Sequence, residues 1–228
     1  MNIYILVEGR RTEKKVYPKW MSLLVPKITE VKHPTQVVDK NYYIFNGNGF
    51  PSLLDNHLRN AVEDVNNIKL FNYFVICLDS DEDSVAQRKQ QVLDFINQNN
   101  ISFVNCELVI IVQNKCIESW FLGYQKIYSR QPQSQILREY NDFYNVSIDD
   151  PEQMGKIERY ETCAQFHESY LSELLAEKNI RYTKKNPNIV TEDYYLKGLI
   201  ERNVSTNHIS TFKDFIDFCN KINSEMTK

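Results

Sequence analysis

YFVICLDSDED, residues 73–83, sets six apolar residues directly against five polar ones, four of them acids. A run that is apolar on both faces reads as a strand covered on both sides, as in a parallel sheet flanked by helices. Three other stretches read the same way: Ile3 to Val7, Tyr42 to Phe45 and Leu108 to Val112. Between them the apolar spacing turns helical. Val16, Trp20 and Leu23 or Leu24 predict a helix over 12–24, in which Pro18 either makes a kink or moves the start to Tyr17. A second helix starts near Ser52, where S-L-L-D offers a capping box with Asp55. A third, over 84–98, buries Val85, Val92, Phe95 and Ile96; a fourth sets Ile117, Trp120, Phe121 and Tyr124 on one face. This alternation predicts an α/β fold, a mainly parallel sheet of about four strands flanked by helices, over residues 1–125.

After Gly123 the pattern changes. Residues 126–160 are polar, with Pro132 and Pro151 and no strong strand. Helices are predicted over 161–177, burying Phe166, Tyr170, Leu171 and Leu174, and over 211–222, burying Phe212, Phe215, Ile216 and Cys219. Residues 126–228 therefore read as a helical C-terminal extension packed on the α/β part.

The bulk numbers exclude several classes. With 42 % apolar and 25 % charged residues, the chain has the make-up of an ordinary globular protein. No apolar run approaches the roughly 18 residues of a membrane helix, and MNIYILVEG lacks the parts of a signal peptide, so a cytoplasmic protein without membrane contact is expected. Five scattered cysteines with no CxxC pair speak against a disulfide framework and a structural zinc site, and the four histidines show no ligand spacing. The net charge of −3 means that any contact with nucleic acid must rest on local basic patches or on metal ions.

The acids carry the chemistry. The strands of a parallel sheet end on one edge, and ligands bind beyond those ends. The first strand delivers Glu8-Gly9; the third delivers Asp79-Ser80-Asp81-Glu82-Asp83. If these strands are neighbours, Glu8, Asp79 and Asp81 lie close together and need a cation to offset their repulsion. Mg²⁺ or Mn²⁺, one ion or two, suits carboxylate oxygens. An acid run after a strand also serves as an ordinary helix N-terminus, so the paired placement matters more than either stretch alone. Glu118 falls in the first turn of its helix at the same edge, as a further ligand or as a helix-start acid.

The arrangement resembles the Toprim domain of topoisomerases, primases and OLD-family nucleases, on Glu8 in LVEG and Asp79-Ser80-Asp81 in VICLDSD. VEGRRTE is similar to the OLD and RloB-like group, which implies Glu13 as a second glutamate ligand. Glu118-Ser119-Trp120 and Tyr182-Thr183-Lys184, ahead of STFKDFIDF, resemble a related Toprim-like family of unknown function found near phage-defence genes. The resemblance implies divalent-metal-dependent cleavage of DNA or RNA, with Asp79, Asp81, Glu13 and Glu118 on the metal and Glu8 as a ligand or general acid/base. No ATPase segment is present, so nucleotide-driven activity would need an ATPase partner. Primase-type nucleotidyl transfer, and a non-catalytic nucleic-acid-binding or sensor subunit of a defence complex, are the alternatives. Among 14 tyrosines none stands out as a topoisomerase nucleophile.

Two basic clusters complete the reading. Arg10, Arg11, Lys14 and Lys15 flank Glu8 and Glu13; Arg181, Lys184 and Lys185 form the second. Facing the acids, they would contact phosphates, and Lys184 would stabilise the charge of the reacting phosphate; otherwise they are solvated surface. Gly47-Asn48-Gly49 lacks the third glycine of a dinucleotide turn, Ser52 standing there, but could approach a phosphate. Trp120 reads as core.

Overall fold

A computed structural model of the chain describes residues 1–227. Its strands are β1 (Asn2–Val7), β2 (Thr29–Glu30), β3 (Asn41–Asn46), β4 (Tyr73–Asp79) and β5 (Glu107–Gln113). They form one all-parallel sheet in the order β2-β3-β1-β4-β5. The α/β class is as the sequence predicts; the strand count is five rather than four. The extra strand, β2, is a polar Thr-Glu pair on the sheet edge, with no apolar run to announce it.

β1 and β4 are neighbours, in a register that pairs Ile3 with Tyr73 and Val7 with Cys77. All six residues of β1 and the first six of β4 are buried, which is why both read as unbroken apolar runs. From β1 the chain goes to the edge strand β2 and returns to β3 beside β1, then crosses to β4 and β5 on the other side. The strand order therefore reverses between β1 and β4, and the carboxyl ends of these two strands flank the switch point where such sheets bind ligands.

The helices are α1 (Glu13–Leu24), α2 (Arg59–Ile68), α3 (Val85–Gln98), α4 (Ile117–Phe121), α5 (Gln135–Phe143), α6 (Cys163–Ala176), α7 (Asp193–Thr206) and α8 (Ser210–Glu225). Helix α1 starts at Glu13 and carries Pro18 in its interior, so the proline does not set its start. The capping box at Ser52 does not form. Ser52 is already helical and its side chain makes no cap bond; residues Leu53–Leu58 wind as a wider π-helix that buries Leu53, Leu54 and Leu58 before α2 begins.

The chain divides into two compact units. One comprises Met1–Leu78, Val85–Val112 and the chain from Phe215 onward; the other comprises Asp79–Ser84 and Gln113–Asp214. In the first, one face of the sheet is packed around Tyr4, whose ring stacks on Phe74 (5.2 Å) and meets Tyr43 and Phe71 edge-on. Tyr17 and Trp20 of α1 pack on Phe215 in α8. In the second, the core gathers Trp120, Phe166, Tyr170, Tyr195 and Phe212. Trp120 is core, as read, and its indole N–H donates to Glu152 (3.1 Å) and Thr211 (2.8 Å). Helix α7 had no clear signal because its buried face includes Arg202 and Asn203 as well as Tyr195, Leu196 and Leu199, and Gly198 stands where Tyr124 packs against the backbone.

Candidate functional site

In the first unit the end of β1 is built to hold Glu8. Its amide donates to Cys77 O (2.9 Å), extending the β1–β4 pairing by one residue. The Gly47-Asn48-Gly49 turn closes over it: Gly47 N–H donates to Val7 O (2.8 Å), Gly49 N–H to Glu8 O (3.0 Å) and Phe50 N–H to the Glu8 carboxylate (3.1 Å). Gly47 must be glycine, because a methyl group there would stand 2.7 Å from the Leu53 side chain, and Gly49 has φ +88°. The turn's glycines thus serve to grip Glu8. Arg88, buried on α3, lies 3.8 Å over the Phe50 ring and backs this turn. Glu13, in the first turn of α1, is also buried, and its carboxylate lies over the Gly9 backbone, where any methyl group would overlap it. Burial, with Glu13 adding to it, pushes the Cys77 thiol up to about 12.

In the second unit the exits of β4 and β5 run side by side. Ser80 N–H donates to Gln113 O (2.9 Å), Asp81 N–H to Lys115 O (3.0 Å), and Lys115 N–H to Ser80 Oγ (2.8 Å). Asp81 and Lys115 both take left-handed backbone, with φ 52° and 67°. The DSDED run divides its labour. Glu82 accepts from the Cys163 amide (2.7 Å) and thiol (3.3 Å), at the start of α6. Burial acts to raise its pKa; the Cys163 donors outweigh this and hold it below the usual carboxylate range. Asp79 and Asp81 are half-buried.

Glu118 is the centre of this arrangement. It is 0 % exposed, so it is no ordinary solvent-facing helix-start acid. Its Oε1 accepts from the Tyr182 hydroxyl (3.0 Å) and faces Lys184 Nζ (3.8 Å), while Oε2 is buried without a hydrogen-bond partner. Lys184 also faces Glu168 (3.5 Å). The Glu118 charge, followed by Glu168, Cys116 and Asp79, raises the Lys184 pKa well above that of a free lysine against the opposing effect of burial. Burial and then Glu118 push the Tyr182 phenol up, keeping it a proton donor. Burial, Glu118 and Asp79 likewise push the Cys116 thiol up, so it stays protonated. Asp79, Glu118, Lys184 and Cys116 therefore share one electrostatic neighbourhood.

Helix α4 is only five residues long, and a buried polar seat fixes its start. Ser119 Oγ donates to Asn114 O (2.7 Å), and His167 Nδ1 lies 3.1 Å from Ser119 Oγ and 3.7 Å from Cys116 Sγ. Glu118 is thus held on a turn fixed by the Asn114 carbonyl and the His167 ring.

Of the expected phosphate contacts, Arg10, Arg11, Lys14 and Lys15 are exposed around the start of α1, and Arg181 and Lys185 are exposed on either side of Lys184. Glu168, His167 and Arg88 carry no site signal in the sequence, and Tyr182 is marked only by its place in Tyr182-Thr183-Lys184. The oxygen donors of Asp79, Asp81 and Glu118 are of the kind a hard divalent cation takes, and Oε2 of Glu118 is buried without a hydrogen-bond partner. Among the described residues, no three His, Cys, Asp or Glu side chains converge as a ligand group. Comparison with known protein families, with curated proteins and with solved structures finds no match to this chain.

Proposed function

We propose that this chain is a Toprim-type, divalent-metal-dependent phosphodiesterase that cleaves DNA or RNA. The observation that carries the reading is Glu118: a fully buried carboxylate with one oxygen lacking a hydrogen-bond partner, beside Lys184 and in the electrostatic reach of Asp79. Leaving a buried acceptor unmatched is costly and is tolerated where a ligand completes it. Asp79, Asp81 and Glu118 would hold Mg²⁺ or Mn²⁺; for Glu8 and Glu13 a ligand role rests on the sequence resemblance. When bound, the ion would offset phosphate charge and lower the pKa of an attacking water. Tyr182 fixes Glu118 through Oε1, leaving Oε2 for the ion. Lys184, held charged by Glu118 and Glu168, supplies a fixed positive charge for the phosphate oxygens. The Phe50 amide orients Glu8 as a ligand or proton carrier.

The test is cleavage of end-labelled single-stranded DNA, duplex DNA and tRNA with Mn²⁺ or with EDTA. Mn²⁺-dependent products from the wild type, reduced about a hundredfold or more in Asp79→Asn and Glu118→Gln, are expected. Cleavage that survives both substitutions would overturn the assignment. So would the absence of cleavage in a wild type that also binds no Mn²⁺, leaving a domain that binds without chemistry.

A further inference from the structure

A cavity of about 630 Å³ opens in the second unit, within the size range of small-molecule sites, and none of its lining residues belongs to the acidic site. One wall is α5 and the loop before it. Arg138 and Asp142 stand one helical turn apart on α5, and Arg130 stands on the loop. Neither guanidinium is in an ion pair among the described residues; Glu139, next to Arg138, pairs with Arg159 instead. Arg138 Nη1 donates to Pro132 O (3.1 Å), which fixes its guanidinium at the mouth of the loop.

Asn145 and Ser147 form a further part of the wall. The Asn145 Oδ1 accepts from both the Ser147 amide (3.1 Å) and the Ser147 hydroxyl (2.6 Å). A backbone N–H can only donate, so this settles which end of the Asn145 amide is oxygen. Its NH₂ is the end left for a ligand. Behind this wall the buried Arg202 donates to Ser147 O (3.5 Å) and Asp149 O (2.9 Å), so the wall is held in place before any ligand arrives. Tyr128 also lines the cavity, and its hydroxyl donates to Leu122 O.

Two guanidiniums and an amide NH₂ form a donor set for an anion with several oxygens, which points to phosphate. Asp142, on the same wall, is an acceptor; it would repel a bare anion and would receive a hydroxyl. An aromatic ring, oxyanion donors and one carboxylate in a single cavity together match a phosphate joined to a hydroxylated, ring-bearing body. We propose that this cavity binds a mononucleotide, with Arg130, Arg138 and Asn145 on the phosphate, Asp142 on a sugar hydroxyl and the Tyr128 ring against the base. The site stands whether or not the acidic cluster is catalytic.

Calorimetric titration of AMP, inorganic pyrophosphate and a 5′-phosphorylated oligonucleotide into the full chain, with EDTA present to silence any metal site, tests the proposal. AMP is expected to bind in the micromolar range. Arg130→Ala and Arg138→Ala should each weaken it about tenfold, the loss of one charge-assisted pair, and Asp79→Asn should leave it unchanged. Arg130 is exposed, so its variant retains the fold even if Arg138→Ala, which loses the Pro132 contact, does not. Pyrophosphate should bind about tenfold more weakly than AMP, because it uses neither Asp142 nor the ring. The absence of AMP binding at millimolar concentration, or AMP binding unchanged in Arg130→Ala, would overturn the site. Equal affinity for pyrophosphate would overturn recognition of a nucleotide, and binding of the oligonucleotide without AMP would overturn a small-molecule ligand.

Discussion

Lowering the pH from 7 to 5 is expected to destabilise the protein by about 2 kcal/mol through one side chain, His167. The ring is fully buried, with Nε2 facing the carbonyls of Met154 (3.0 Å) and Gly155 (3.2 Å). Carbonyls only accept, so the proton sits on Nε2, and Nδ1 is left as the acceptor toward the Cys116 thiol, because Ser119 gives its one hydroxyl proton to Asn114 O. Burial holds the imidazole at a pKa of about 4, against a usual value of about 6.5. A base whose folded pKa lies below its unfolded one gives its full stability above about pH 6.5 and loses it as the pH falls toward 4. At about 1.36 kcal/mol per unit the whole effect is about 3.4 kcal/mol, and about 2 kcal/mol of it is lost between pH 7 and 5. For a chain of this size that lowers Tm by about 4–8 °C. The assay is thermal unfolding of wild type and His167→Gln at pH 7, 6 and 5. Glutamine keeps a donor and an acceptor but cannot titrate, so the acid response of all other groups is common to both proteins. The wild type should lose about 4–8 °C more than the variant across this range. Parallel pH responses would refute the placement of a neutral, buried His167 beneath α4.

Tyr182→Phe removes the one hydrogen bond on the buried Glu118 carboxylate and should cost about 1–3 kcal/mol in urea unfolding. Glu152→Ala should cost about 3 kcal/mol or more, because Glu152 receives Trp120 Nε1 together with the Thr211 amide (3.1 Å) and Ser210 Oγ (3.1 Å) at the start of α8; the same unfolding assay reads it. Gly9→Ala should change stability by less than about 1 kcal/mol, since the atoms nearest its methyl group belong to the flexible end of Glu13.

The sheet was legible because strands buried on both faces must be apolar throughout, and Ile3 to Val7 and Tyr73 to Leu78 leave no other reading. β2 was not legible, since a two-residue polar edge strand has no period. The acids at the strand ends were legible because Glu8 and Asp79 break apolar runs abruptly. The role of their neighbours was less so. Gly47 and Gly49 suggested an approach to phosphate, whereas their amides hold the β1 end and Glu8. Glu118 could be read two ways, and only its complete burial separates them. Tyr182 lies 64 residues from Glu118, and His167 48 from Ser119, so no local pattern joins either pair. The Ser52 capping box does not form because Ser52 already has helical backbone, whereas a cap residue needs extended backbone to aim its side chain at the free amides.

The central claim is that the acids ending β4 and starting α4 await a divalent cation. Calorimetric titration of Mn²⁺ into the wild type and into Asp79→Asn/Asp81→Asn tests it most directly. Asparagine tolerates the left-handed backbone of residue 81, so the variant keeps its fold. Saturable binding in the wild type that disappears in the variant, with Tm retained, is the predicted result. Binding of equal strength in both proteins, or none in either, would contradict the claim.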